Sequence, residues 1–196
     1  MKITFNSPLI LSFSFICIVI YILTGYIGLF KSSFILNPNF NSSSFLDYFR
    51  LFSHTLGHNS IDHLIGNLSF ILLIGPVIEK KYGAKLLFIM MLTTGLLTAL
   101  LHILFFDSGL LGASGIVFML IILTSMINIK NKEIPITFIL IVIIFIGKEV
   151  IGSFNVDNIS HTSHIIGGVV GTIFGFGLAG RKPTKETNAK DILKGL

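Results

Sequence analysis

The chain has 196 residues, of which 53% are hydrophobic and only 12% charged. A soluble domain carries roughly 25% charged residues, so lipid rather than water is the solvent for most of this surface. A single cysteine excludes an intrachain disulfide and a thiolate metal cluster, and a formal net charge of +5 must be tested against membrane topology before nucleic acid is considered as a partner.

A membrane-spanning helix takes about 20 apolar residues, and six apolar runs of that order follow one another. The first covers residues 8–30 and contains Cys17. It is longer than the apolar core of a signal peptide and lacks a convincing small-x-small cleavage site, so it reads as a retained helix. The Asn/Ser-rich stretch 37–44 reads as a loop. The second run, 61–78, is closed by Glu79, Lys80 and Lys81, with Glu79 as a helix-end anchor. The third covers 84–106, with His102 near its outer end as an interfacial residue. The fourth covers 111–129, the fifth 134–151 and the sixth 161–179. Six spans with short loops consume nearly the whole chain. The expected fold is therefore all-α: one polytopic six-helix membrane domain over residues 1–180, followed by a short basic tail, 181–196, at the membrane surface.

Charge supplies the orientation. With a cytoplasmic N-terminus, the inner segments carry Lys2, Lys80, Lys81, Lys85, Lys130, Lys132, Arg181, Lys182, Lys185, Lys190 and Lys194, and the outer ones only Lys31, Arg50 and Lys148. That bias is the positive-inside pattern of six spans with both ends in the cytoplasm. Removing or adding one span scrambles it. The basic balance thus calls for no nucleic acid.

Polar groups inside membrane spans are costly and are functional candidates by default. Three clusters qualify. One runs from Arg50 through Ser53, His54, His58 and Ser60 to His63 and Asn67, the last two spaced i, i+4 on one helical face. The second is Gly112-Ala113-Ser114-Gly115 at the start of the fourth span. The third is His161-Thr162-Ser163-His164, followed by Gly167, Gly171 and Gly175 in the sixth. The second, fourth and sixth spans all begin on the outer side. Asn67, Ser114 and His164 each follow within a few residues, which places them at one depth, roughly 5–10 Å below the outer surface.

Small residues every fourth position let helices approach closely. A close crossing of the fourth and sixth spans brings the His164 imidazole within reach of the Ser114 hydroxyl. Serine is a weak nucleophile without an adjacent base, and histidine suits that role near neutral pH. Ser114 near a helix N-terminus offers free backbone N–H groups to a developing oxyanion, and His58 and the Asn67 amide are further candidate donors.

These residues resemble the rhomboid family of intramembrane serine proteases. The resemblance covers about residues 49–175 and rests on three ordered signals: the His-rich segment leading to His63-x-x-x-Asn67, Gly-x-Ser-Gly at Ser114, and His164-x-x-Gly167-x-x-x-Gly171. It implies a Ser114–His164 dyad without an aspartate and an oxyanion site from the Ser114 N–H, His58 and Asn67. It implies that the loop bearing Arg50 sits partly in the membrane, and that the fifth helix and the loop 152–160 act as gate and cap. The implied substrates are single-span membrane proteins, cut near small residues where the helix unwinds easily. Two positions depart from the family pattern: Phe49 where Trp is frequent before Arg, and Phe118 where a Tyr is common. Phe118 still offers an aromatic face to His164. Gly112, Gly115, Phe118, Gly167, Gly171 and His63 are supporting residues on this reading.

Plainer readings stand beside each assignment. Ser114 on its own reads as a helix cap or packing residue, Asn67 as interhelical glue and His54 as a structural loop residue. At the level of function, the alternative is a catalytically silent rhomboid-fold protein that binds membrane clients, against which both dyad members are present. A metal site at His54, His58 and His63 lacks a His-Glu-x-x-His arrangement. A transporter lacks a repeat between the halves and paired broken helices. The expectation is a monomer without cofactor or metal, working on transmembrane proteins in the bilayer from a pocket open to the outer side.

Overall fold

The computed structural model describes residues 5–127, 134–147 and 161–180. Within them, seven α-helices follow in order: α1 Pro8–Tyr21, prolonged by a π-turn Ile22–Tyr26; α2 Phe45–Ser53; α3 Ile61–Tyr82; α4 Ala84–Phe105; α5 Ser114–Ser125; α6 Ile136–Ile141, prolonged by a π-turn Val142–Ile146; and α7 His161–Gly177. Three helical stretches are long and apolar enough to cross a membrane: Pro8–Tyr26, Ile61–Tyr82 and Ala84–Phe105. The other three expected spans each contain a shorter helix among the described residues. The end of the fifth run beyond Gly147, the expected cap 152–160 and the tail 181–196 lie outside the described residues.

The late start of α5 has a local cause. The apolar run 111–129 promised a long helix, yet α5 has 12 residues, ~18 Å of rise. Gly112 lies at φ +127°, which no helix accommodates, so the helix starts only at Ser114. Every residue from Gly115 to Leu123 is buried, which makes α5 the central post of the bundle.

Elsewhere the usual inside–outside pattern is inverted. Leu73, Leu104, Phe105 and Ile173 are among many large apolar side chains that are exposed. On α2, Phe45, Tyr48, Phe49 and Phe52 share the exposed face while Asp47, Arg50 and Ser53 are buried. A helix with its polar side inward and its aromatic side outward is built for lipid contact. The inward groups are all satisfied. Arg50 pairs with the Asp47 carboxylate and donates from Nε to the Ser32 carbonyl at 2.9 Å, and the Ser53 hydroxyl donates to the Ser33 carbonyl at 2.6 Å. The loop bearing Arg50 is thereby folded against the preceding 3-10 turn, Lys31–Phe34.

Glu79 has a more specific task than anchoring a helix end. It is buried, and its two carboxylate oxygens accept the N–H groups of Leu9 and Ile10 at 3.1 and 3.0 Å. These are orphan donors of the first turn of α1, where Ser7 supplies no side-chain cap. A carboxylate from α3 thus caps α1 and also complements its dipole.

The tightest packing lies between α5 and α7. A Cβ on Gly167 would stand 2.0 Å from the Gly115 carbonyl oxygen, and one on Gly171 would stand 2.8 Å from the Met119 carbonyl oxygen. Both obstacles are backbone, so neither can yield without separating the helices. Gly177, at the end of the same helix, has open space around it. Gly167→Ala is expected to lower the unfolding midpoint in detergent markedly, by an overpacking cost of about 1–3 kcal/mol or more. Gly177→Ala should leave it within about 0.5 kcal/mol. Equal midpoints for the two variants would refute the close crossing.

Candidate active site

The loop between α4 and α5 is pinned before it delivers Ser114. Leu36 and Leu110 exchange two backbone hydrogen bonds, at 2.9 and 3.0 Å, and the Gly112 N–H donates to the His54 carbonyl at 2.8 Å. From α4, His102 donates from Nε2 to the Ser108 carbonyl at 2.9 Å and stacks on Phe106. His102 is buried. It is therefore a strut for this loop and not the interfacial residue that its position near a span end implied. His54 is a structural loop residue, as its sequence context indicated. It is buried and donates from Nδ1 to the Arg50 carbonyl at 3.0 Å.

Gly112 is a glycine for two independent reasons. Its φ of +127° strains any side chain, and a Cβ there would lie 2.6 Å from Cε1 of His63. The bare backbone lets the His63 ring close over the turn that leads into Ser114. Beyond that turn, Ser114 is the first residue of α5, with no side-chain cap on the helix. The N–H groups of its first turn are unpaired within the helix and point toward the N-terminal end, where negative charge is favoured.

His164 reaches the same place from α7. A Cβ on Gly115 would stand 3.1 Å from the Ser163 carbonyl oxygen, so the residues adjoining Ser114 and His164 touch across the helix crossing. Phe118, one turn along α5, stacks on the His164 ring at 4.2 Å between centroids and 5° between planes. Phe145 meets the Phe118 ring edge-on at 5.9 Å. The imidazole is thus held flat against an aromatic wall that continues into α6. The missing hydroxyl at position 118 leaves this contact intact.

Ser114 and His164 line one cavity of about 550 Å³, together with His63, Gly66, Asn67 and Phe118. Of the residues singled out in the sequence, His58 takes a different position. It is buried behind Asn67 and is not part of the cavity wall. Its Nδ1 lies 3.2 Å from the Leu56 carbonyl oxygen, which can only accept, so the ring proton sits there. Nε2 is then an acceptor, and the Asn67 amide donates to it at 3.0 Å. His63, read from sequence as a supporting residue, is the histidine that faces the cavity. Its Nδ1 is hydrogen-bonded to the side-chain amide group of Asn59 at 3.0 Å. Asn59 and Asp62 also line the cavity and were not singled out from the sequence. The signal that locates them is the cap at Ser60, whose hydroxyl accepts the His63 N–H at 3.1 Å and sets the phase of α3. Among the described residues, no group of three or more His, Cys, Asp or Glu side chains is arranged to hold a metal ion.

A family model described as a rhomboid domain matches residues 46–181. Rhomboid proteases named GlpG from Yersinia pestis (strain Pestoides F) and Yersinia pseudotuberculosis serotype O:3 (strain YPIII) are each 32% identical over 113 residues. That stretch is 58% of this chain and 41% of each relative. The GlpG of Serratia proteamaculans (strain 568) is 31% identical over a stretch of the same length and coverage. The match thus spans less than half the length of these curated relatives.

Burial pushes the His58 imidazole from its ordinary 6.5 down to about 4, and neighbouring His63 acts in the same direction. Burial likewise takes His54 down to about 4. The folded rings stay neutral until about pH 4, whereas unfolded ones protonate near 6.5. Between those values the unfolded state binds more protons, so stability rises with pH across that window and is lost as pH falls through it. Unfolding midpoints measured across that window should fall on acidification, and His58→Gln should flatten the profile, leaving the part owed to His54. Identical pH profiles for wild type and variant would refute a buried neutral His58.

Proposed function

The chain belongs to the rhomboid family, and from that premise we propose that it is an intramembrane serine endopeptidase that hydrolyses peptide bonds in or near the transmembrane helices of other membrane proteins. The observation that carries the proposal is the shared cavity of Ser114 and His164, set at the backbone contact of Gly115 with α7. In this reading His164 takes the Ser114 hydroxyl proton as Oγ attacks the scissile carbonyl. The protonated imidazole then passes that proton to the leaving amine. A water molecule entering the cavity repeats the sequence on the acyl-enzyme, with His164 again the base. The dyad needs no aspartate to set the ring plane, because Phe118 stacks on it.

The oxyanion falls to the N-terminal end of α5, where the Ser114 N–H is one donor. The Asn67 amide is a second: one hydrogen of Nδ2 is engaged by His58, and the other remains for the cavity. His58, assigned as a donor from the sequence, serves better as the acceptor that orients Asn67. His63 takes the third donor position in the tautomer protonated at Nε2, which Asn59 serves by turning its amide so that Nδ2 donates to Nδ1. Gly112, Gly115, Gly167 and Gly171 allow these groups to come together. The six-span bundle has both termini in the cytoplasm, the site in the outer leaflet, and a single chain as the working unit. Its substrates are single-span proteins, and the mechanism calls for no cofactor or metal.

A second reading, a rhomboid-fold protein that holds membrane clients without cutting them, keeps the cavity but not the chemistry. Cleavage of a model single-span substrate in liposomes separates the two. Wild type is expected to cut and to be labelled at Ser114 by a fluorophosphonate, with EDTA without effect. Ser114→Ala and His164→Ala should each lower kcat by about 10³-fold or more. Asn67→Ala should cost about 10²-fold, and adding His58→Ala to it should cost little more, because the two act as one unit. Cleavage that survives Ser114→Ala would sink the mechanism, and neither cleavage nor labelling by wild type would favour client binding.

A further inference from the structure

One wall of the cavity has a feature that the serine chemistry does not use. The α3 residues on it are Asp62, His63, Gly66, Asn67 and Phe70. They fall into two stripes along one helix face. His63 and Asn67 form the stripe toward Ser114. Asp62, Gly66 and Phe70, at i, i+4 and i+8, form the stripe beside it. This second stripe has a carboxylate at its outer end, a bare backbone in the middle and an aromatic ring below. A Cβ at Gly66 would meet nothing within 4 Å, so the middle of the stripe is open space. Asp62 is exposed and is the one carboxylate among the described residues that line the cavity, beside the two imidazoles of His63 and His164 and no Lys or Arg. The ion pair formed among the described residues is Arg50 with Asp47.

We propose that the Asp62–Gly66–Phe70 stripe is a subsite for one long basic side chain of the substrate, with the Asp62 carboxylate receiving its cationic head. The inference rests on the protease reading and narrows its substrates to transmembrane proteins with Lys or Arg close to the scissile bond. Lys and Arg join an apolar stem to a charged tip, and bury the stem while the tip seeks polar company. The stripe has the same order. The stem lies over Gly66 and against Phe70, and the tip reaches Asp62 one helical turn away, ~5.4 Å. An acidic substrate side chain at that position meets a like charge. An apolar one fills the gap over Gly66 but leaves the carboxylate unpaired. As an acid in the first turn of α3, Asp62 also complements the helix dipole. That role alone affects folding and not the choice between substrates, so selectivity is the quantity to measure.

The experiment uses the full chain in liposomes and a model single-span substrate carrying Lys, Met or Glu in turn at each position flanking the scissile bond. At one position wild type should prefer Lys over Met by about two- to fivefold in kcat/KM, with Glu below both, the size of an exposed ion pair. Asp62→Asn should bring the Lys/Met ratio to about one, and Asp62→Lys should reverse the order in favour of Glu. These ratios do not depend on the overall activity of a variant. Binding of the same helices to Ser114→Ala, read by energy transfer between labelled protein and substrate, should show the same order. A Lys/Met ratio near one at every position in wild type, or a Lys preference that survives Asp62→Asn, overturns the subsite. If no substrate is cut, the protease reading fails. A Lys preference in binding that Asp62→Asn abolishes still supports the subsite in that case, and its absence overturns it.

Discussion

The contact between the Gly115 carbonyl and the bare Cα of Gly167 is the constraint on which the rest depends. Two helices can come this close only where neither carries a side chain at the crossing. Ser114 sits immediately before one partner of the contact, and His164 one turn before the other. Separating α5 from α7 by the width of a methyl group therefore moves the two polar residues apart by a similar amount. Hydrogen-bonded chemistry tolerates errors of only a few tenths of an ångström. The stripe Gly167, Gly171, Gly175 continues the contact along α7 against Met119 and Met126. The crossing is thus defended over several turns and not at one point.

A second constraint acts on the loop that feeds α5. An irregular backbone within a lipid-facing bundle leaves N–H and C=O groups that water cannot satisfy. Here they are taken up by partners on three sides: Leu36 across a two-bond bridge, the His54 carbonyl through Gly112, and the His102 ring through the Ser108 carbonyl. Each of these partners lies on a different segment. The polar residues that first stand out as anomalies in an apolar sequence thus divide into two groups. One group, Arg50, His54, Glu79 and His102, hydrogen-bonds to backbone groups of loops and helix ends. The other, His63, Asn67, Ser114 and His164, faces the cavity.

That division explains what could and could not be read in advance. The apolar runs are legible because each helix has to match a bilayer, and α3 and α4 end close to where their runs do. The meeting of Asn67, Ser114 and His164 is legible because the alternation expected of six spans would put the starts of three of them on one side. The glycine stripe is legible because a period of four is a helical signal. The truncation of α5 is not. Ala113 and Leu111 are as apolar as the helix that follows, and only the backbone angle of Gly112 separates them from it. Nor do the roles of the two histidines separate. His63 lies inside a helix whose phase is set by the Ser60 cap, whereas His58 lies before it, where no periodicity fixes the direction of a side chain. Glu79 reads as an anchor because its partners, Leu9 and Ile10, are about 70 residues away in the chain.

Lipid as solvent also changes what holds such a bundle together. Exposed Leu, Ile and Phe gain nothing by moving from lipid to the interior, so the hydrophobic term that dominates in water is weak here. Close packing and satisfied hydrogen bonds have to carry the difference. Both are concentrated around α5, in the glycine crossing on one side and the pinned loop at its N-terminus. The cavity of about 550 Å³ interrupts that packing where the two networks meet. Filling it with side chains would strengthen the bundle and close the space a peptide bond and a water molecule must enter. The open volume over Gly66 follows the same logic. A larger residue there would add contact within the protein, whereas glycine leaves the wall free to make that contact with something that arrives from outside.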